Sequence, residues 1–320
     1  MKNYLRYILS SFVFISTLHA HSSFAELRIV TDIAPVHGLA EKVMEGVGSP
    51  SVIIRPGSDP HYYNLRPSEA ANIEKADVIF WIGPELTPWL ASALDNLAGD
   101  AEHISLLDAK GVHLLTGEHH HGHDDHKEHD DHKEHDDHKE HDDHAKKSEP
   151  VDPHAWLDPE NAIAWLAVIA DEAAHHDPAN EARYRENAKR AAQAISEQQA
   201  RISKILASEE MPAIFAQHDA YRYFEARFDF ELAGALYDKE NEAPSPAHIS
   251  ELHALTKKME KACLLAETDI ENNVVASVFE DTALYIIDAN PSGLIRSSND
   301  NGYFGLFDAL EAGLEGCAKS

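Results

Sequence analysis

Eleven histidines fall between His119 and His144: His119, His120, His121, His123, His126, His129, His132, His135, His138, His141 and His144. Most belong to a six-residue repeat, His-Asp-Asp-His-Lys-Glu, with copies beginning at His123, His129 and His135 and a partial copy at His141. Imidazole and carboxylate are the side chains that bind zinc and similar dications at neutral pH. The stretch 118–150 has almost no apolar residue to bury, so a disordered loop is expected there. Charge runs are commonly no more than solvated surface. One histidine in every three residues of the repeat exceeds what solvation requires, and the stretch reads as an accessory, weak metal collector. A collector implies a fixed site elsewhere in the chain.

Candidates for that site are histidines and acids just beyond apolar runs, because ligands of open parallel sheets sit outside the carboxyl ends of strands. His61 follows the run 51–54, and His218 follows the run 213–216. Asp288 closes the run 283–287, and His154 lies between the repeat and the next helical stretch. Singly, each residue type more often caps a turn or satisfies a hydrogen bond. Together, His61, His154, His218 and Asp288 supply three imidazoles and one carboxylate, the donor set of a tetrahedral zinc site. The fourth position is left open between Asp288, Asp59 and water. His37 is expected to be a hydrogen-bonded structural residue. Trp81, Trp156, Tyr62 and Phe215 are expected to wall the site.

The elements that must carry these residues alternate along the chain. Strands are expected at 27–31, 51–54, 78–82 and 103–106, with helices at 36–47, 67–76 and 84–97. In the second half, strands are expected at 213–216, 230–233, 262–266 and 283–287, and helices near 221–227, 246–260, 270–280 and 304–314. Alternation of this kind predicts α/β architecture, with parallel sheets covered on both faces. A helix is also expected at 158–175. After Asp177-Pro178, the stretch 179–207 places Tyr184, Ala188, Ala191, Ile195, Ile202 and Leu206 on one helical face. It reads either as a strut between two lobes or as a long surface helix.

The chain has 320 residues, and 27 basic against 56 acidic side chains give a net charge of −29. That balance opposes nucleic-acid binding, which needs a basic face, and suits a protein that handles cations. Lys2 and Arg6, the apolar run 7–18 and Ser23-Phe24-Ala25 form a secretory leader pattern, with cleavage expected before Glu26. The apolar run is too short to span a bilayer. No cysteine lies near the expected cleavage point, so no lipid anchor is expected there. An even count of two cysteines, Cys263 and Cys317, favours a disulfide in an exported chain.

At the histidine blocks the chain resembles the metal-binding extracytoplasmic components of ABC uptake systems, most closely their zinc-specific periplasmic branch. The resemblance rests on Pro56-Gly57-Ser58-Asp59-Pro60-His61-Tyr62-Tyr63-Asn64-Leu65-Arg66-Pro67-Ser68 with the run 76–85 that follows it. Asp152-Pro153-His154-Ala155-Trp156-Leu157-Asp158-Pro159 and Phe215-Ala216-Gln217-His218-Asp219-Ala220-Tyr221 follow in order. It implies two α/β lobes, each with a four-stranded, mainly parallel sheet, joined by one long rigid helix. The implied divisions are a leader at 1–25, a first lobe at 26–176, the linking helix at 177–207 and a second lobe at 208–320. It implies His61, His154 and His218 as zinc ligands, a disulfide between Cys263 and Cys317, and a periplasmic monomer. The implied partner is a membrane permease with its cytoplasmic ATPase. Manganese-binding relatives usually carry glutamate at the third position, so His218 favours zinc. Two departures bear on the fourth ligand: Ile287-Asp288-Ala289-Asn290-Pro291 replaces the usual Leu-Asp-Pro run, and Pro60 stands directly before His61, where some relatives have an acid.

Two other functions compete. Three histidines with an open fourth position could activate water as a zinc hydrolase does, but there is no His-Glu-x-x-His helix and no evident general base. A metal buffer or adhesin on the same fold, or a carrier of manganese or another dication, is the remaining alternative. The expectation is a carrier of Zn2+ and not an enzyme.

Overall fold

The computed structural model describes residues 27–117, 150–237, 243–267, 272–294 and 302–320. The expected leader at 1–25 and the histidine repeat lie outside these residues, as do the first two positions of the helix expected at 270–280.

The first half opens with β1 (Ile29–Thr31), α1 (Ala34–Met44), β2 (Ser51–Val52), α2 (Pro67–Lys75), β3 (Val78–Trp81), α3 (Pro88–Leu97) and β4 (Glu102–Ser105). The four strands form one all-parallel sheet in the order β2-β1-β3-β4. After the repeat come a short 3-10 turn at Ala155–Leu157, α4 (Pro159–His176), a second 3-10 turn at Pro178–Asn180 and α5 (Glu181–Leu206). The second half follows with β5 (Ala213–His218), α6 (Arg222–Phe228), β6 (Gly234–Tyr237), α7 (Pro246–Thr256), β7 (Lys261–Ala266), α8 (Asn272–Val278), β8 (Ala283–Asp288) and α9 (Tyr303–Lys319). Its sheet is also all parallel, in the order β6-β5-β7-β8. The two-lobed α/β expectation is met. β1 and β3 are buried along their whole length, as sheets covered on both faces require.

Helix α5 is 26 residues long, about 39 Å at 1.5 Å per residue. It buries Tyr184, Ala188, Ala191, Ile195 and Ile202, together with Asn187 and Gln198. The two polar members reach opposite halves of the molecule. Asn187 donates to the carbonyls of Val43 and Glu45 at the end of α1 (2.9 and 3.0 Å). Gln198 donates to Asp308 on α9 (2.6 Å). The strut reading is therefore the correct one.

Where α1 meets the start of α9, the two halves touch backbone to backbone. A Cβ on Gly38 would lie 2.9 Å from the Tyr303 nitrogen, and one on Gly302, at φ +118°, would lie 2.8 Å from the Ala34 carbonyl oxygen. Only glycine permits this approach. Cys263 on β7 and Cys317 on α9 form the expected disulfide, with Cα atoms 6.1 Å apart, stapling the last helix to its sheet.

Three element expectations need correction. The strand placed at 230–233 begins instead at Gly234. The Leu232 N–H is taken by the Glu225 carboxylate (2.7 Å), and the Phe230 ring packs on Phe224, so the start of this run closes α6, and only its last residue, Ala233, reaches β5 by donating to the Ile214 carbonyl (2.7 Å). The helix placed at 84–97 begins at Pro88. A residue before proline is pushed out of the α region, and Thr87 at φ −126°, ψ 66° obeys, so no helix can run through it from Pro84. The helix expected at 246–260 stops at Thr256, whose hydroxyl donates to the Val278 carbonyl of α8.

Candidate metal centre

His61 stands in the loop that leaves β2. Ile53 and Ile54 extend the ladder by donating to the Thr31 and Asp32 carbonyls, both at 2.8 Å. The chain then turns at Gly57 (φ +80°), where an added Cβ would come within 2.3 Å of Leu294 of the second lobe. Asp59 Oδ1 accepts the His61 backbone N–H (2.8 Å), and the Trp89 indole donates to the Pro60 carbonyl (2.9 Å). Beyond His61, Tyr63 turns inward and donates to Glu69 (2.8 Å). Glu69 also accepts the Arg66 N–H in a capping box at the start of α2. Both flanks of the histidine loop are thus pinned by their own side chains.

His154 follows the same Asp-Pro-His spelling. Asp152 Oδ1 accepts its backbone N–H (3.0 Å) and also lies 2.9 Å from its ring Nδ1. Burial pushes the Asp152 carboxyl up, but hydrogen bonds from His154 and the charge of Arg222 outweigh it and hold the group below the usual carboxylate range. Immediately before Asp152, Val151 bridges antiparallel to Thr116, and the Gly117 N–H donates to Pro150 (3.0 Å), closing the stem of the histidine-rich insert. The second lobe grips this stem. The Tyr223 hydroxyl accepts from the Leu115 N–H (3.0 Å) and donates to the Asp152 carbonyl (2.9 Å). Arg222 donates to the Gly117 and Thr116 carbonyls (2.6 and 3.2 Å). Burial pushes the Tyr223 hydroxyl up to about 12, so it keeps its donor proton.

His218 is the last residue of β5 and is buried. Its Nδ1 contacts Glu267 Oε1. Glu267 stands just past β7, the neighbouring strand, and its N–H is fixed by the Gln217 side chain (2.8 Å). Glu267 did not figure among the sequence candidates. Its one signal was its position directly after the expected strand 262–266, the same criterion that selected His61 and His218.

These loops bring three imidazoles together. The rings of His61 and His154 are 6.1 Å apart, and those of His154 and His218 are 5.9 Å apart. The Trp156 ring lies 5.3 Å from His154, and its indole donates across the lobes to the Pro291 carbonyl (2.9 Å). Asp288 ends β8, paired with Ala266, at the same end of the sheet as His218 but on the far side of β7. Burial, then the charges of Glu267 and Asp288, push the intervening Tyr221 hydroxyl well above its ordinary value. Two expected wall residues stand elsewhere. Tyr62 is 80 % exposed, because its neighbour Tyr63 takes the inward position. Phe215 lies in the core of the second lobe, edge-on to Phe279. His37, on α1, donates from Nε2 to the Pro50 carbonyl (3.2 Å), as expected of a structural histidine.

A separate group, Glu102, Glu172 and His176, brings possible ligand atoms within 4.8 Å of one another. It sits at the N-terminal end of β4, opposite the histidine loops, with His176 Nε2 3.4 Å from Glu102. Two of its three members are exposed, and a surface ion pair accounts for it.

Comparison with known proteins agrees with the fold. Residues 29–315 match the family described as zinc-uptake complex component A, periplasmic. The chain is 40 % identical over 263 residues to the high-affinity zinc uptake system protein ZnuA of Paracoccus denitrificans, covering 80 % of this chain and 81 % of that protein. It is 35 % identical over 307 residues to the protein of the same name from Brucella abortus, covering 90 % and 91 %. A crystal structure of ZnuA superposes with a TM-score of 0.68 at 19 % identity, covering 92 % of this chain and 98 % of that one. The architecture is that of a two-lobed metal-binding protein. The chain belongs to the periplasmic zinc-uptake component A family.

Proposed function

We propose that this protein captures Zn2+ between its lobes and delivers it to the membrane permease of an ABC uptake system driven by a cytoplasmic ATPase. His61, His154 and His218 hold the ion, and the protein works as a periplasmic monomer released from a leader at 1–25. The observation that carries the reading is the convergence of three imidazoles from three separate loops, with centroids 5.9 and 6.1 Å apart. Rings sharing one tetrahedral zinc at 2.0–2.1 Å have centroids about 5 Å apart. Side-chain shifts of roughly 1 Å therefore complete the set. An all-imidazole trio favours zinc over harder manganese. Asp288 or water fills the fourth position, since Asp59 already accepts the His61 N–H. The protein carries out no reaction. The carboxylates nearest the histidines, Asp152 and Glu267, are engaged with imidazole nitrogens and are poorly placed as general bases.

The test is competition for zinc between the full-length protein and a tight chelator, which silences weak sites in the repeat. His218→Ala is expected to weaken binding by on the order of 100-fold or more, beyond the loss typical of an outer-shell partner. Undiminished binding by that variant would refute the assignment.

A further inference from the structure

We propose that Asp152 and Glu267 are matched positioning residues, one from each lobe, that accept the Nδ1–H of His154 and His218 and so turn both Nε2 atoms toward the metal. The proposal rests on the zinc reading of the cleft. A neutral imidazole carries one N–H and one lone pair, and whichever nitrogen donates leaves the other to coordinate. In this protein a carboxylate oxygen faces Nδ1 in both cases: Asp152 Oδ1 at 2.9 Å from His154, and Glu267 Oε1 in contact with His218. Both side chains are largely buried, at 8 % and 17 % exposure, so neither contact is a solvent-screened surface pair.

The two carboxylates reach the same relationship by unrelated routes. Asp152 is local, two residues before its histidine, and also accepts that residue's backbone N–H. Glu267 is 49 residues from His218 and arrives from the adjacent strand, its backbone locked to Gln217. Each carboxylate has its own support: Arg222 of the second lobe lies 3.7 Å from Asp152 Oδ2, and the β5–β7 ladder carries Glu267. Two lobes that each present an imidazole with its Nδ1 engaged would fix the tautomer before metal arrives.

Three full-length variants test this: Glu267→Ala, Glu267→Gln and Asp152→Ala, with zinc affinity read by chelator competition. Loss of an outer-shell partner costs about 10- to 100-fold in metal affinity, and that loss is expected for Glu267→Ala. Glu267→Gln keeps an oxygen that can accept Nδ1–H and is expected to recover most of it. A filler of space would show no such rescue. In long-range 1H–15N spectra of the zinc-loaded wild type, His154 and His218, assigned by their loss on substitution to glutamine, should show protonated Nδ1 and zinc-bound Nε2. Zinc on Nδ1 of either ring overturns the proposal. So does wild-type affinity in Glu267→Ala and Asp152→Ala while His61→Ala binds weakly, an outcome that leaves the zinc site standing. If His61→Ala, His154→Ala and His218→Ala all bind as the wild type does, the cleft reading falls and this proposal with it. Should Glu267→Ala fail to fold, the glutamine variant and the wild-type spectra decide.

Discussion

Arg227 on α6 grips both carboxylate oxygens of Asp158 at the start of α4, Nε to Oδ1 at 2.6 Å and Nη2 to Oδ2 at 2.7 Å. The pair crosses from one lobe to the other, and Asp158 is only 2 % exposed. The same carboxylate accepts the Glu160 N–H as the N-cap of α4 (2.9 Å). Removing the cation would strand a buried charge, an effect worth 3–5 kcal/mol in fully buried pairs. Arg227 is itself 28 % exposed, so Arg227→Ala is expected to cost less, about 2–3 kcal/mol. Arg227→Lys, which keeps the charge but loses the two-point geometry, should fall between. Urea midpoints of the three proteins give the order. Equal midpoints would show that the pair contributes nothing net.

Asp32, at the end of β1, is completely buried. Burial pushes its carboxyl from 3.8 to about 7, against the opposing hydrogen bonds from the Ile82 and Ile33 N–H groups, each at 2.7 Å. Between about 4 and 7 the folded state keeps a proton that the unfolded state has released. Stability should therefore be greatest at acid pH, fall as pH rises through this window, and level off above 7. At 1.36 kcal/mol per unit the span is up to about 4 kcal/mol. The check is the slope of unfolding free energy between pH 5 and pH 8, compared with Asp32→Asn. The wild type should slope downward and the variant should be nearly flat in that range. A shared slope would assign the effect to other groups.

The disulfide closes a sequence separation of 54 residues. In the chain-entropy picture such a loop stabilises by about 4 kcal/mol, and measured values are often smaller. Replacing both Cys263 and Cys317 with alanine should lower the urea midpoint without moving His61, His154 or His218. Labelling the denatured, unreduced protein should find no free thiol.

The ends of the histidine-rich insert already meet, with Thr116 bridged to Val151 and Gly117 bonded to Pro150. Deleting residues 118–149 should leave this stem, and His154 three residues beyond Val151, intact. The deletion is expected to remove several weak zinc equivalents and keep the tight one, slowing uptake only when zinc is scarce, as loss of a local reservoir would. Equal stoichiometry in the two proteins would mean that the repeat is only solvated surface.

Much of this was legible in the chain because buried parallel strands are written as short continuous apolar runs. His61 and His218 could be placed at strand ends from those runs alone. Glu267 was not singled out, since an acid after a strand is ordinary until the β5–β7 pairing sets it beside His218. Tyr62 and Tyr63 are adjacent and alike, and only the bond to Glu69 decides which turns inward. Asp59 and Asp152 were visible in two Asp-Pro-His blocks. Their shared duty of capping the histidine N–H is a turn property that side-chain type alone does not announce. The run at 230–233 misled because its apolar pattern serves a helix end.

The glycine seam between α1 and α9 brings the lobes to main-chain distance. Gly38 and Gly302 touch main chain to main chain, and Trp156, Tyr223 and Arg227 bolt the remaining edge. A methyl added at either glycine would therefore press on main chain of the opposite lobe, which has no side chain to turn aside.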